Sequence, residues 1–569
     1  MKNRAQIPPV YITTLLFIGG ILSGFYRFLP AIPLALFLSV FQSRKWFWAY
    51  FLFFIWGFFY VGLRKPDFSG YLKEKKVLIY GTVEKVLSEK SFLLKKGNIK
   101  FRVFWKGKLS RGEKVEVRGT FTPPSARKNF SSVDWLKINQ KRRIAGRIFA
   151  KSVKTKEKAN VFWQMVSSIK NKINKKFAQM LEPKTEEYVK SIIWGEKKNL
   201  SEQILENFKK TGLMHLLAVS GLHVGLFTGI VAVFLSFFMR RTTAIFASIP
   251  FAFFYSILCG MSPSSLRAAI MFSVVAVSFF LGRKKSIGGG LFFSAFLMLL
   301  WEPYLIFSLS FLLSYFATFS IVFFSKIPYK FLKKFLPDYI AGIMAISFSC
   351  QIFIIPLLNE NFLEFSSLPL ITNLFALPLA GGIVFSVFLN FLFLLPGISF
   401  LKAIAIIFSY SLDFFVYLLD LVVNFAGKNA FVLSLGHLPL YVYIGWYVFL
   451  ISLITKKLKY IFAGGIFFVF AVFIFLYEKS IPEVHFPKFS KANCAVLKVD
   501  GKIFQVNVPS NASGKLPDEY LRFLKFYGIR KIDACFLISP KFYDICAFDK
   551  FYKLGICRDF FMRKNMEYT

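Results

Sequence analysis

The sequence predicts a polytopic α-helical membrane protein that carries a small, OB-like β-barrel as its N-terminal soluble domain. Three observations predict it: an apolar composition, apolar runs long enough to cross a bilayer, and one stretch where the runs give way to short alternating strands. Of 569 residues, 56% are hydrophobic, 19% aromatic and 18% charged, against about 25% charged in ordinary soluble domains. A soluble enzyme is excluded. Runs such as residues 213–238 and 460–477 are predominantly apolar over about the 20 residues that a bilayer-spanning helix needs.

The N-terminal residues 1–27 begin with a basic patch followed by an apolar run. Further apolar segments follow at once at 28–40 and 46–61 with no small-residue cleavage site, so the start reads as a retained anchor. From about residue 64 to 157 the pattern becomes short strands at 77–83, 92–94, 99–105, 114–121 and 143–149, separated by glycines and charged turns. Strands of this number and length suit a small barrel of the OB type. In the segment 101–106, alternation puts Phe101, Val103 and Trp105 on one face and Arg102, Phe104 and Lys106 on the other. Rings that stack on bases and cations that hold phosphates are the usual equipment for single-strand binding. An ordinary half-exposed edge strand has the same pattern, and both readings stay open here.

Residues 160–181 form an amphipathic stretch, with Phe162, Met165, Val166, Ile169, Ile173 and Phe177 at helical spacing and Lys170, Lys172, Lys175 and Lys176 between them. A basic helix of that kind suits a membrane surface. The apolar signal then resumes near Leu213 and runs to Tyr477. Its basic breaks at Arg44–Lys45, Arg240–Arg241, Arg283–Lys285, 326–334 and 456–459 are cytoplasmic by the positive-inside rule. Even numbers of crossings then fit between successive breaks, at 244–259 with 266–281, and at 288–300 with 305–324. By the same parity the strand domain and the C-terminal tail both lie outside. Residues 365–425 contain Pro369, Pro378, Pro396 and Gly381–Gly382; the parity above assumes unbroken helices there, and because a broken helix at membrane depth lines a protein-buried or water-filled path, the region is a candidate pore wall.

Charge and cysteines set further bounds. Lys and Arg number 73 against 30 Asp and Glu, a formal net charge of +43. A long polyanion or an anionic membrane surface is a natural partner, although basic cytoplasmic loops and coding bias produce the same excess. The six cysteines show no CxxC pair and no ligand-like spacing with histidine. Cys494, Cys535, Cys546 and Cys557 near the end are open to two readings, disulfides in an oxidising compartment or buried thiols. No Gly-x-x-x-x-Gly-Lys-Ser/Thr string occurs, so neither ATP hydrolysis nor a cofactor is expected.

The most informative stretch is residues 212–225, Gly-Leu-Met-His-Leu-Leu-Ala-Val-Ser-Gly-Leu-His-Val-Gly. Polar side chains inside an apolar run usually face a bundle interior or a water-filled cavity. His215 and His223 are read either as path-lining groups or as hydrogen-bond partners of neighbouring helices, and the glycines as aids to close packing. A Ser–His catalytic pair lacks a nearby acidic orienter.

The string His215 to Gly225 resembles the signature of the competence domain of the ComEC family, whose members carry single-stranded DNA across the bacterial inner membrane. More stretches resemble that family in order: Ile193-Trp194-Gly195-Glu196, Gly260 to Met271, Glu302-Pro303 with Ser308 to Tyr315, Gln351 to Pro356, and Asn373 to Pro378. Upstream, Gly112 to Val115 and Asn129 to Trp135 resemble the end of the family's N-terminal barrel, although Asn-Pro-Gly is here Asn129-Phe130-Ser131. The resemblance implies an inner (cell) membrane, multi-pass channel for single-stranded DNA in natural transformation, with His215, Ser220, His223, Arg267 and Gln351 as candidates for the DNA path. For Arg267 the other reading is an arginine snorkelling from a helix end.

It also implies an α/β C-terminal tail related to metallo-β-lactamases, but with departures. Lys488 and Asn493 stand where aspartates are expected, and Pro540, Phe542 and Ile545 replace three histidines, leaving Asp544. A zinc site needs about three or four protein ligands, so a truncated tail with no metal site and no catalytic residue is expected. The expected organisation is N-terminal transmembrane helices over 1–63, an extracytoplasmic OB-like domain over 64–157, amphipathic surface helices over 158–211, the competence-type channel over 212–478 and the tail over 479–569. Implied partners are single-stranded DNA, the lipid bilayer, a DNA receptor and pilus machinery, a cytoplasmic DNA motor or strand-binding protein, and further copies of the chain in a homo-oligomer. Two other functions fit the residues less well: a scaffold or transporter of another anionic polymer, and a residual DNA-cleaving activity in the tail.

Overall fold

A computed structural model describes residues 9–26, 47–71, 73–88, 90–107, 109–124, 134–198, 200–282, 286–394, 399–430, 432–455, 457–480, 482–487, 494–499, 501–508, 518–529, 531–538 and 555–562. The segment 28–40, the basic breaks at 44–45 and 283–285, Asn129 to Ser131, Pro396, Cys546 and the tail positions 488–493 and 540–545 lie outside them. The chain forms two compact units. One comprises residues 1–124, 137–350 and 368–430, the other residues 125–136, 351–367 and 431–569.

The first unit opens with a helical hairpin, α1 (Pro9–Tyr26) and α2 (Phe47–Arg64). A Cβ on Gly20 would fall 2.0 Å from the Phe54 carbonyl oxygen, so only glycine permits this approach. Five strands follow: β1 (Lys75–Ser88), β2 (Ser91–Lys96), β3 (Ile99–Phe104), β4 (Lys114–Thr122) and β5 (Ile144–Glu157). They close into a barrel in the order β1-β2-β3-β5-β4, with β3 and β5 parallel and the other pairs antiparallel. Alternation fills the interior with Ile79, Val83, Leu94, Phe101, Val103, Val117, Phe121 and Ile148, each at most 2% exposed. Burying one such side chain contributes about 1.5–3 kcal/mol. Strand β5 runs on to Glu157, beyond the expected end at 149. Its Lys-rich second half is held by β4 through two register shifts, a pairing that its charge pattern hides.

A short helix α3 (Trp135–Lys141) precedes β5. Beyond the barrel come α4 (Val161–Met180), α5 (Pro183–Trp194) and α6 (Glu202–Lys210). Asn160 caps α4 by accepting the Trp163 N–H at 3.1 Å, and Val166, Ile173 and Phe177 form its buried face, which agrees with the amphipathic reading. Next are α7 (Gly221–Ser236), α8 (Arg241–Ala247), α9 (Ile249–Leu258), α10 (Pro263–Phe280), α11 (Ile287–Trp301), α12 (Leu309–Phe323), α13 (Lys326–Leu332), α14 (Asp338–Phe362), α15 (Pro369–Leu394) and α16 (Ser399–Lys428).

Among the described residues, six helical segments are long and apolar enough to cross a membrane: Arg241–Leu258, Pro263–Phe280, Asp338–Phe362, Pro369–Asn390, Ile404–Lys428 and Leu458–Lys479. A seventh arises if α12 and α13, bent by 55°, form one span. One expectation needs correction. Residues 213–238 are not one span: a 3-10 turn at Leu213–His215 is followed by non-helical chain, and the helix starts only at Gly221. Residues 365–425 do not contain a broken helix among the described residues. Pro378 and Gly381–Gly382 lie inside continuous α15, since one proline removes a single donor that a packed helix tolerates.

The second unit contains the hairpin of α17 (Leu440–Thr455) and α18 (Leu458–Ser480) and a mixed sheet. Its strands β8 (Glu483–His485), β9 (Ala495–Val499), β10 (Lys502–Val506), β11 (Ile532–Leu537) and β12 (Cys557–Met562) lie in the order β12-β11-β10-β9-β8. The two-residue pair β6 (Phe365–Ser366) and β7 (Val432–Leu433) forms a separate ladder. Helix α19 (Asp518–Phe526) supplies Tyr520 and Phe523 to the core with Val496, Ile532 and Leu537. Tyr520 donates to Gln505 Oε1 at 2.7 Å. Cys535 and Cys557 form a disulfide with Cα atoms 6.4 Å apart, whereas Cys494 is a buried free thiol. Among the described residues no three His, Cys, Asp or Glu side chains gather as metal ligands.

Candidate functional site

The polar centre of the first unit is built where α7 begins. Ser220 is extended and stands at the N-cap of α7. The imidazole of His223, on the third residue of the helix, turns back so that Nδ1 accepts the Ser220 backbone N–H at 3.1 Å. The Ser220 hydroxyl lies 2.9 Å from the same nitrogen and donates to it. This is the reciprocal logic of a capping box, with imidazole in place of the usual Glu or Gln. Because Nδ1 accepts, the ring proton is on Nε2. His223 is fully buried, and Nε2 has no hydrogen-bond partner among the described residues.

Arg267 approaches the same helix start from α10. Ser262 caps α10 by accepting the Ser265 N–H at 3.2 Å, and Ser264 donates to the Val219 carbonyl at 2.6 Å, which fixes α10 against the chain entering α7. Arg267 is 7% exposed. Its Nη1 donates to the Ser314 carbonyl of α12 at 2.8 Å, and the guanidinium carbon sits 5.7 Å from the Tyr315 ring centre. Nε has no partner among the described residues. A Cβ on Gly221 would come within 3.1 Å of Nη2, so the glycine lets the guanidinium reach the amide end of α7. The guanidinium therefore reaches the helix start whose first turn carries the buried imidazole. Such a set favours an anion, because buried donors without acceptors are costly and the helix start is electropositive.

The remaining path candidates are placed differently. His215 ends the 3-10 turn, is exposed, and its Nδ1 lies 3.1 Å from the Gly212 carbonyl. Gly212 has φ +72° and its missing Cβ would meet Pro369 at 2.2 Å, so the turn is fixed before His215 is reached. Gln351 lies on α14 in the second unit, with Nε2 buried and unpartnered among the described residues. Ser220, His223 and Arg267 are thus brought together; His215 bonds its own turn, and Gln351 is described by itself.

On the barrel, Arg102 is exposed between buried Phe101 and Val103. Its guanidinium carbon lies 5.2 Å from the Phe104 ring centre. Phe104 stacks on Phe149 of β5 at 5.3 Å, and the register pairs Arg102 with Arg147. Lys106 is exposed but lies past the end of β3, so the strand does not hold it in the expected alternation. Sequence reading missed Arg147 and Phe149. The Arg147-Ile148-Phe149 alternation was visible, but which strand lies beside β3 is a tertiary fact.

A second basic surface lies beside α4. A cleft of about 530 Å³ is lined by Ser110, Glu113, Lys158, Ser167, Lys172 and Lys175 among others. Nearby, Arg111 covers the Trp163 ring at 4.1 Å. Gly112, at φ +91°, leaves no room for a Cβ, which would lie 2.7 Å from Trp163. Lys85 is exposed as a residue, but partial desolvation of its ammonium pushes it down from its ordinary range, and the Arg111 charge adds to that shift. Finally, Arg143 ties the barrel to the helices: 4% exposed, it pairs with Glu302, bonds Asn98, and lies 4.3 Å from the Tyr304 ring centre.

Comparison with known proteins adds a family to this geometry. Residues 192–460 match the family model described as "Competence protein". The chain is 26% identical over 271 residues, 48% of its own length, to "ComE operon protein 3" of Bacillus subtilis (strain 168). It is 35% identical over 128 residues, 22% of its length, to an "Uncharacterized protein" of Aquifex aeolicus (strain VF5). It covers 34% and 30% of those relatives, about a third of each. No solved structure matches. The matched stretch begins two residues before Trp194 and contains the Ser220–His223–Arg267 centre, so residues 192–460 of this chain are a domain of the Competence protein family.

Proposed function

We propose that this chain is a multi-pass channel of the bacterial inner membrane through which single-stranded DNA is taken up in natural transformation. The observation that carries the reading is the approach of Arg267 to the start of α7, the turn that holds the buried His223, with His223 Nε2 and Arg267 Nε both lacking a hydrogen-bond partner among the described residues, inside the segment that matches the Competence family. A phosphate oxygen supplies the acceptor that these groups lack. Few cations contact it at once, and a path must hold phosphates weakly enough to release them.

The five-stranded barrel is, in this reading, an OB-type single-strand-binding domain outside the membrane. Its strand order supports that assignment. Arg102, Phe104, Arg147 and Phe149 offer alternating cations and rings, the pattern that holds a strand without reading its bases. The tail is not catalytic; a separate nuclease removes the other strand, and a DNA receptor with its pilus machinery delivers the DNA. A cytoplasmic motor or strand-binding protein receives it, and copies of the chain assemble in the bilayer.

The test is deletion of the gene followed by uptake of labelled DNA, scoring surface-bound and cytoplasmic label separately. Retained surface binding with loss of protected cytoplasmic label is the expected result. Unchanged cytoplasmic label overturns the channel reading and favours a scaffold or a transporter of another anionic polymer.

A further inference from the structure

Helix α16 is apolar enough over Ile404–Lys428 to cross a membrane, yet it carries two carboxyl groups, Asp413 and Asp420. At 100° per residue, Ser409, Asp413, Asp420 and Asn424 fall along one side of the helix over about 22 Å. Leu412, Val416, Leu419 and Val423 beside this stripe are buried, while Tyr410, Phe414, Tyr417 and Leu421 are exposed on the other flank. The stripe therefore runs between the packed face and the outward face.

Three of its four members are provided for. Asp420 accepts from Tyr188 at 2.6 Å and pairs with Lys184 at 2.6 Å. Asn424 accepts from Asn207 at 2.9 Å. Ser409 accepts from Asn390 Nδ2 at 2.8 Å and donates to the Ala405 carbonyl at 3.2 Å. Asp413, between them, has Oδ1 buried without a hydrogen-bond partner, and no cation is paired with it among the described residues. One turn away, Asn390 is 1% exposed and its Oδ1 is likewise unpartnered.

We infer that Asp413 is a proton-binding site within the membrane, loading and releasing one proton as the channel works; the coupling to DNA rests on the function proposed above. An intramembrane carboxylate without a cation is costly, and a bound proton removes its charge. Among the described residues, the elements packed most closely on α16 supply no other remedy. Helix α15, packed along α16, has no ionisable side chain between Pro369 and Leu394. From α5, Lys184 and Tyr188 are engaged by Asp420, two turns away, while Glu186 pairs with Lys190 and Glu187 completes its acidic groups. From α6, Glu206 pairs with Lys210, and Glu202 and Lys209 are its other charged groups, all on the element that meets Asn424. On α16 itself Tyr410 and Tyr417 belong to the exposed flank, and Lys402 and Lys428 lie toward the ends. The chemistry is a single equilibrium: the carboxylate gains a proton to become a neutral acid and regains its charge on losing it. Each phosphate moved inward against an inside-negative potential costs about 2.3 kcal/mol per 100 mV. A proton moving with it cancels that charge.

The experiment uses the full chain in phosphatidylcholine vesicles enclosing a pH-sensitive dye, with an acidic outer buffer and a labelled single-stranded oligonucleotide. Acidification of the interior on adding oligonucleotide is expected for the wild type, and D413N is expected to lower its rate at least tenfold. D420N should keep proton movement in whatever protein remains folded. Should D413N fail to fold, D413E, which keeps the carboxyl, must shift the pH at which acidification is half-maximal. Equal rates for wild type and D413N, or an unshifted D413E, overturn the inference. So does oligonucleotide uptake that follows a sodium gradient and ignores pH. Oligonucleotide uptake without acidification sinks the proton site and leaves the DNA reading standing; Asp413-dependent acidification without oligonucleotide uptake does the reverse.

Discussion

His223 Nδ1 accepts the backbone N–H of Ser220 at 3.1 Å, so the imidazole that caps α7 presents its remaining N–H to a buried space with no acceptor among the described residues. One side chain thus has two separable duties. His223→Gln keeps the acceptor that a capping box needs, whereas His223→Leu removes both nitrogens. The leucine variant should lose about 1 kcal/mol of stability, the usual worth of a cap, together with DNA uptake. The glutamine variant should keep the thermal midpoint of the detergent-purified protein and lose uptake only in part.

Arg267 should be the most sensitive position. Its guanidinium donates to Ser314 O while facing the start of α7, and a lysine cannot reproduce that fork. Arg267→Ala and Arg267→Lys should each reduce cytoplasmic uptake by roughly tenfold or more, the size expected when a charged donor worth 1.5–3 kcal/mol is lost. Gly221→Val should act the same way without touching Arg267, because the new side chain takes the space of Nη2. Normal uptake by Gly221→Val would contradict this geometry.

On the barrel, Phe104→Ala and Phe149→Ala should each weaken binding of a labelled oligonucleotide to the full chain by about 1–3 kcal/mol, as measured for one base stacked on one ring. Arg102→Ala and Arg147→Ala should instead flatten the salt dependence. Fluorescence anisotropy at several salt concentrations separates the two effects.

Removal of one partner from the Arg143–Glu302 pair should loosen the barrel from the helices. Arg143 is the more buried partner, so Glu302→Ala leaves an uncompensated cation and should cost roughly 3 kcal/mol. Faster proteolysis between the barrel and α4, with unchanged hydrogen exchange inside the barrel, is the expected signature.

Lys85 gives a pH dependence. Its folded-state pKa lies below the ordinary 10.5 because partial desolvation and Arg111 disfavour the ammonium. In the window between that lowered value and 10.5 the unfolded chain binds more protons, so barrel stability rises with pH there. The protection of β1 amides relative to their intrinsic exchange rate should rise across that window, and Lys85→Met should abolish the change.

The membrane class, the strand domain, the amphipathic α4 and the polar motif at 212–225 were legible because each is a local pattern. Apolar run length, period-two alternation and 3.6-residue spacing all act within a few turns of chain. The motif also carried the family, since its polar groups sit where an apolar run makes them costly. Where local pattern and tertiary pairing compete, the reading failed: the expected strand at 143–149 stopped short of the Lys-rich half of β5, and the start of α7 looked like the middle of a span.

By itself, then, the sequence determined which segments are apolar enough for a membrane, which alternate as strands, and that His215, Ser220, His223, Arg267 and Gln351 are out of place in them. Only the tertiary structure decided that Arg267 meets the helix start held by Ser220 and His223, that Phe149 lies beside Phe104, and that Asp420 has a cation while Asp413 has none among the described residues. The physical reason is range. Hydrophobic periodicity is set by neighbours along the chain, whereas a hydrogen-bond partner 47 residues away, as Ser314 is from Arg267, is chosen only when helices pack.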